Sequence, residues 1–120
     1  MPKEYKNIIS DISSYASELR KLIPDTMNGF GAMAKAATQT KILDEKTKEL
    51  IALALGVASR CDGCLGFHAK SLARLNASRE EVAETLGMAI YMGGGPSLMY
   101  AADALRAFDQ FNQKVESEVK

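Results

Sequence analysis

The sequence lacks several features that would place it in a broad class of proteins. It has no run of 18 apolar residues, so no membrane-spanning helix is predicted. Its 15 basic residues balance its 15 acidic residues, and no cluster of five basic residues occurs. We therefore expect neither nucleic acid nor a membrane as a partner. The first residues also lack the apolar segment of a signal peptide, which predicts a cytoplasmic protein.

Patterns typical of β-strands are absent as well. Apolar residues recur instead at spacings of three and four, which predicts an all-α fold of about six helices. A length of 120 residues suits a single domain over 1–120. Asp44 and Ser78 are predicted helix caps, and the helix after Asp44 is apolar nearly all round, which favours a central position. The predicted helices span residues 4–22, 25–38, 45–59, 62–76, 79–92 and 97–116.

Cysteine and histidine are scarce, and the few that occur lie together. The sequence has two cysteines, Cys61 and Cys64, and one histidine, His68. In a helix over 62–76, Cys64 and His68 lie one turn apart on the same face, and Cys61 begins that face. An imidazole at this position can set the ionisation of a thiol, and a second nearby thiol can close a disulfide after the first is oxidised. The spacing fits a nucleophilic or redox dithiol, and the residue types also fit ligands of zinc.

From Glu49 to His68 the sequence resembles the carboxymuconolactone decarboxylase / alkyl hydroperoxidase D-like family. Glu49 is followed by 11 residues, then Cys61-x-x-Cys64, then three residues and His68. The resemblance covers about residues 24–108. Without it, Glu49 would be interpreted as a solvated helix residue beside neighbouring lysines. With it, Glu49 and His68 are expected to form a proton relay.

Members of this family that keep both cysteines resemble peroxidases or disulfide reductases. The resemblance therefore implies an antioxidant, thiol-dependent enzyme in which Cys64 attacks the substrate and Cys61 resolves the product. Its substrate would be a small hydroperoxide or disulfide, its reductant a thiol protein, and no cofactor or metal is expected. Gly63 stands where the best-known hydroperoxidases have a histidine, which favours a weaker peroxide-reducing or a general thiol–disulfide role.

Two alternatives to a thiol-dependent enzyme remain open. One is a decarboxylase-type lyase, although the decarboxylases of the family typically lack the CxxC pair. The other is a non-catalytic oligomer that binds zinc at Cys61, Cys64, His68 and Glu49, or that senses redox state.

The sequence also predicts a homo-oligomer. Six helices with long apolar stripes offer more hydrophobic surface than a chain of this length can easily cover, and such surface usually marks subunit contacts. The first helix contributes Ile8, Ile9, Ile12 and Tyr15 to this excess, and the last helix contributes Met99, Phe108 and Phe111. The family resemblance implies a trimer or a hexamer, and a hexamer arranged as a trimer of dimers is favoured.

Overall fold

The fold consists of six α-helices joined by short connections. A computed structural model describes residues 2–119, and it describes side chains as far as residue 112. No strand occurs between residues 2 and 119, so the prediction of an all-α fold with about six helices is confirmed. The helices are α1 (Tyr5–Leu22), α2 (Pro24–Thr38), α3 (Glu45–Ala58), α4 (Asp62–Arg74), α5 (Arg79–Gly93) and α6 (Gly95–Val119).

The two caps predicted from the sequence begin α3 and α5. The side chain of Asp44 accepts a hydrogen bond from the backbone N–H of Thr47 at 2.8 Å. Ser78 and Glu81 form a reciprocal capping box, with bonds of 3.0 Å and 2.8 Å. Each cap satisfies backbone donors that the first turn of a helix leaves without partners, which explains why α3 and α5 begin at these positions.

The core lies where α4 meets α1, α3 and α6, and α3 also packs on α5 and α6. The predicted central position of α3 agrees with its contacts to α2, α4, α5 and α6, but its apolar surface is not buried all round in the single chain, because Ile51 and Leu55 are exposed. Only the face of α3 that meets the other helices is buried. The largest fully buried side chains are Tyr5, Leu53, Val57, Leu65, Leu72, Val82 and Phe108.

Helices α1 and α4 approach closely at two glycines. A Cβ atom on Gly66 would overlap Cγ2 of Ile9, and one on Gly63 would lie 2.8 Å from Cδ1 of Ile12. Gly66 therefore has no room for a side chain, whereas a side chain at Gly63 would require the end of the Ile12 side chain to shift. This contact holds α1 against the side of α4 that carries the two glycines.

Much apolar surface stays exposed in the single chain. Helix α2 buries none of its residues, and Phe30 and Met33 on it are 65% and 61% exposed. Leu55 of α3 and Met92 of α5 are 62% and 77% exposed, and both line one apolar depression. The predicted apolar face of α2 exists, but within one chain it has little to pack against.

Candidate active site

Cys61 and Cys64 form a disulfide at the start of α4, with their Cα atoms 5.2 Å apart. Cys61 is the N-cap of this helix, and its Sγ accepts a hydrogen bond from the backbone N–H of Cys64 at 3.1 Å. The sulfur of Cys61 therefore lies at the positive end of the helix dipole, where negative charge is stabilised. Both cysteines are half-buried.

Glu49 of α3 and His68 of α4 form a short hydrogen bond. Nδ1 of His68 lies 2.6 Å from Oε1 of Glu49, and Glu49 is only 5% exposed. Since the carboxylate accepts, Nδ1–H donates, and in the neutral form of the ring this bond selects the tautomer in which Nε2 keeps its lone pair. Glu49 is thus a buried, partnered group and not the solvated residue that its lysine-rich surroundings in the sequence suggested.

The disulfide and the Glu49–His68 pair lie along one seam between α3 and α4. A Cβ atom on Gly56 would lie 3.0 Å from Cβ of Cys64, so α3 and α4 nearly touch beside the disulfide. Glu49 precedes Gly56 by about two turns, and His68 follows Cys64 by about one turn. Because both pairs meet across the seam, the two helices run antiparallel there and bring the four predicted residues together.

A polar cluster on the other side of Cys61 is not evident from the sequence. Nζ of Lys3 lies 3.1 Å from Asp103 and 3.2 Å from Asp62, the residue that follows Cys61. The hydrogen bond to Asp103, followed by that to Asp62, raises the pKa of Lys3 well above its usual value. These residues are up to 100 positions apart, so no local signal in the sequence could have revealed the cluster.

Two buried oxygen atoms in the same region have no hydrogen-bond partner among the described side chains and backbone. They are the hydroxyl of Tyr5 and Oδ1 of Asp62. Burial of the Tyr5 ring, which is fully enclosed, raises the pKa of Tyr5 to about 12. The hydroxyl therefore stays protonated over the physiological range of pH.

The geometry gives no support to the zinc alternative. Between residues 2 and 112, no group of three or more histidine, cysteine, aspartate or glutamate side chains is placed to hold a metal ion. The two sulfur atoms are bonded to each other, and Glu49 is engaged with His68.

No helix within the described part of the chain is both long enough and apolar enough to cross a membrane. The cytoplasmic location stays a prediction.

The fold and the site define a small all-α protein with a CxxC disulfide beside a buried Glu–His pair. The sequence matches the profile of the carboxymuconolactone decarboxylase family over residues 24–107. The chain belongs to the carboxymuconolactone decarboxylase family, which confirms the resemblance found in the sequence.

Relatives and solved structures agree with this assignment. A protein of Cupriavidus necator is 42% identical over 112 residues, which cover 93% of this chain and 99% of the relative. The crystal structure of a carboxymuconolactone decarboxylase family protein from Legionella pneumophila has a TM-score of 0.88 at 56% identity, covering 90% of this chain and 96% of that one. A family member from Thermotoga maritima has the same fold, with a TM-score of 0.72 at 24% identity over 89% of this chain and 97% of that one.

Proposed function

We propose that this protein is a thiol-dependent peroxidase, or a closely related disulfide reductase, that uses Cys61 and Cys64 as its redox pair. One observation carries the proposal: the Cys61–Cys64 disulfide shares the α3–α4 seam with the hydrogen-bonded Glu49–His68 pair. A dithiol with an oriented base one helical turn away has the parts that peroxide reduction needs. Such an activity would serve antioxidant defence.

In the proposed cycle, Cys64 is the attacking residue. Its thiolate attacks one oxygen of a hydroperoxide, ROOH, and the O–O bond breaks. The departing alkoxide takes a proton and leaves as the alcohol ROH, while Cys64 becomes a sulfenic acid. The thiol of Cys61 then attacks that sulfur, the S–O bond breaks, and water is released as the Cys61–Cys64 disulfide forms.

Glu49 and His68 supply the proton transfers in this scheme. Nδ1–H of His68 is held by Glu49, so Nε2 is the nitrogen available to take the proton of Cys64 and to return it to the alkoxide. Glu49 stabilises the imidazolium that forms in between, because its carboxylate is buried against the ring. Glu49 is thus a positioning residue, and His68 is the group that moves the proton.

An external thiol protein closes the cycle by thiol–disulfide exchange. We propose that its thiolate attacks Sγ of Cys64 and that Cys61 leaves, because the N–H of Cys64 and the start of α4 stabilise negative charge on Cys61. A second thiol of the reductant then releases Cys64. The reductant supplies two electrons and two protons, which returns both cysteines to the thiol state.

We also propose that the protein works as a homo-oligomer, a hexamer built as a trimer of dimers. The exposed apolar residues of α2, α3 and α5 support subunit contacts, since such patches rarely stay open to water. Sedimentation equilibrium at micromolar concentration tests this proposal. A single species near the monomer mass of 13.0 kDa would overturn it.

Stopped-flow reduction of cumene hydroperoxide by the reduced protein tests the enzyme proposal. Cys64→Ser should abolish the reaction, whereas Cys61→Ser should consume one equivalent and leave a trappable sulfenic acid at Cys64. Glu49→Gln should slow the reaction by about 10²-fold or more, as expected for a damaged proton relay. Glu84→Gln is the matched control, because Glu84 is exposed on α5, away from the seam.

Two results would contradict the enzyme proposal. The first is that both thiols of the wild-type protein stay free for alkylation after excess peroxide. The second is a sulfenic acid trapped at Cys61, which would reverse the roles of the two cysteines.

A further inference from the structure

A cavity of about 500 Å³ opens beside the Glu49–His68 pair, between α2, α3 and α4. Both acids that line it are already engaged. Glu49 is bonded to His68, and Glu45 forms an ion pair with Arg74 at 2.9 Å. The cavity therefore has no free carboxylate of its own among the described side chains.

Two further cations line the same cavity, Lys35 from α2 and Lys70 from α4. Among the described side chains, neither of them pairs with an acid. Ala34 and Phe67 contribute apolar surface to the lining of the same cavity. The cavity thus combines an unbalanced positive charge with an apolar surface, which is the chemistry that recognises an aliphatic carboxylate.

We infer that this cavity binds the carboxylate end of the substrate, so that the preferred substrates are hydroperoxides of aliphatic carboxylic acids. The inference rests on the proposed peroxidase function, which accounts for the peroxide end of the substrate. It adds the chemical class of the substrate, a carboxylic acid. In the bound state the carboxylate lies between Lys35 and Lys70, and the chain runs along Phe67 and past His68. The peroxide then extends beyond the cavity lining to Cys64, one turn of α4 before His68.

The helix sets the length of such a substrate. Cys64 and Lys70 are six residues apart on α4, which is about 9 Å along the helix axis and about 120° around it, at 1.5 Å and 100° per residue. An extended acid of medium chain length spans this distance, whereas a very short acid does not. A substrate with its peroxide at the far end of the chain, such as ω-hydroperoxyoctanoate, is therefore the appropriate probe.

The test compares ω-hydroperoxyoctanoate with its neutral methyl ester, in single and double variants Lys35→Gln and Lys70→Gln. We expect the wild type to prefer the acid in kcat/KM. Each single variant should reduce the acid-to-ester ratio by about two- to fivefold, the range for partly exposed ion pairs. The variants should raise KM for the acid and leave kcat unchanged, because the lysines bind the carboxylate equally strongly in the ground state and in the transition state. Salt should reduce the preference as well.

Lys41→Gln serves as the control, since Lys41 is exposed before α3 and does not line the cavity. It should leave the acid-to-ester ratio at the wild-type value. An acid-to-ester ratio near one in the wild type, or a ratio that neither cavity lysine changes, would overturn the inference while leaving peroxidase function intact.

A second measurement separates this inference from the proposed function. Octanoate, which carries no peroxide, is titrated into the oxidised protein while the imidazole signals of His68 are followed by NMR. Saturable shifts that weaken in the Lys35→Gln/Lys70→Gln double variant support the carboxylate site even if no peroxide is reduced. Octanoate that leaves the His68 signals unchanged, or that binds the double variant equally well, overturns it.

Discussion

Gly66→Ala tests whether α1 is pressed against the CxxC helix as closely as the structure shows. A Cβ atom at position 66 would overlap Cγ2 of Ile9 and would also contact the ring and the carbonyl oxygen of Tyr5 at 3.5 Å and 3.6 Å. Tyr5 is fully buried and Ile9 is 6% exposed, so neither can move into solvent. The new methyl group therefore has to displace a packed side chain or the backbone of α1.

Two effects of opposite sign determine how Gly66→Ala changes the free energy of unfolding. Replacing glycine by alanine inside a helix stabilises the protein by about 0.5–1 kcal/mol when space is available. Overpacking a well-filled contact costs about 1–3 kcal/mol. Gly87→Ala on α5 supplies the first effect alone, because nothing lies within 4 Å of a Cβ atom there. The free energies of unfolding of the two variants should therefore differ by about 1–3 kcal/mol, with Gly66→Ala the less stable.

Urea unfolding at one fixed protein concentration measures both variants, since oligomerisation makes apparent stability depend on concentration. The Ile9→Ala background provides a further control, because it removes the Cγ2 atom that causes the overlap. In that background Gly66→Ala should become less destabilising or turn stabilising. If Gly66→Ala stabilises the unmodified protein as much as Gly87→Ala does, α1 does not approach α4 at this glycine and the packing described above is wrong.

Two further changes test particular features of the fold. Burial raises the pKa of Tyr5 from 10.0 to about 12, so the folded state holds this proton more tightly than the unfolded chain does. The free energy of unfolding is therefore unaffected by this group below pH 10 and falls as the pH rises from 10 to 12. Tyr5→Phe should reduce that alkaline loss in urea titrations at several pH values. It should not destabilise the protein at pH 7, because the buried hydroxyl has no hydrogen-bond partner among the described residues. An unchanged alkaline slope would contradict the assignment of this loss to Tyr5. Ser78→Ala should cost about 1 kcal/mol through loss of the capping box of α5, whereas Ser59→Ala, an exposed serine after α3, should cost less. Equal unfolding midpoints for the two serine variants would show that the box contributes nothing.

Helix type and helix starts could be predicted from the sequence because they depend on local chemistry. The caps at Asp44 and Ser78 need only residues within one turn, and the structure shows both. Pro24 shows the limit of such reasoning. The sequence predicts a second helix that starts at residue 25, but α2 begins at Pro24 and Ile23 links the two helices. Proline at the first position of a helix loses no hydrogen bond, so a break and a start are equally compatible with it.

The candidate site was predictable only in part, for a similar reason. Cys61, Cys64 and His68 share one helical segment, so their proximity follows from helical spacing. Glu49 lies on another helix, and only the family resemblance selected it from the other acids around it. Lys35 and Lys70 could not be selected at all, because the cavity they line depends on where α2, which packs on α1 and α3, lies relative to α4. Charged residues on separate helices carry no periodic signal that indicates a shared pocket.

Gly63 gains a structural explanation that the sequence did not provide. In the sequence it marks the absence of a relay histidine, whereas in the structure its missing side chain makes room for Ile12 of α1. Gly63 and Gly66 share the face of α4 that meets α1, because residues three apart lie on the same side of a helix. Residue 64 is turned by about 100° from residue 63, so Cys64 and His68 lie on the α3 side of α4. Helix α1, outside the matched residues 24–107, therefore closes one side of α4. Under the proposed mechanism, a peroxide approaches Cys64 from the side of His68, where the hydrogen-bonded Glu49–His68 pair serves as the proton relay.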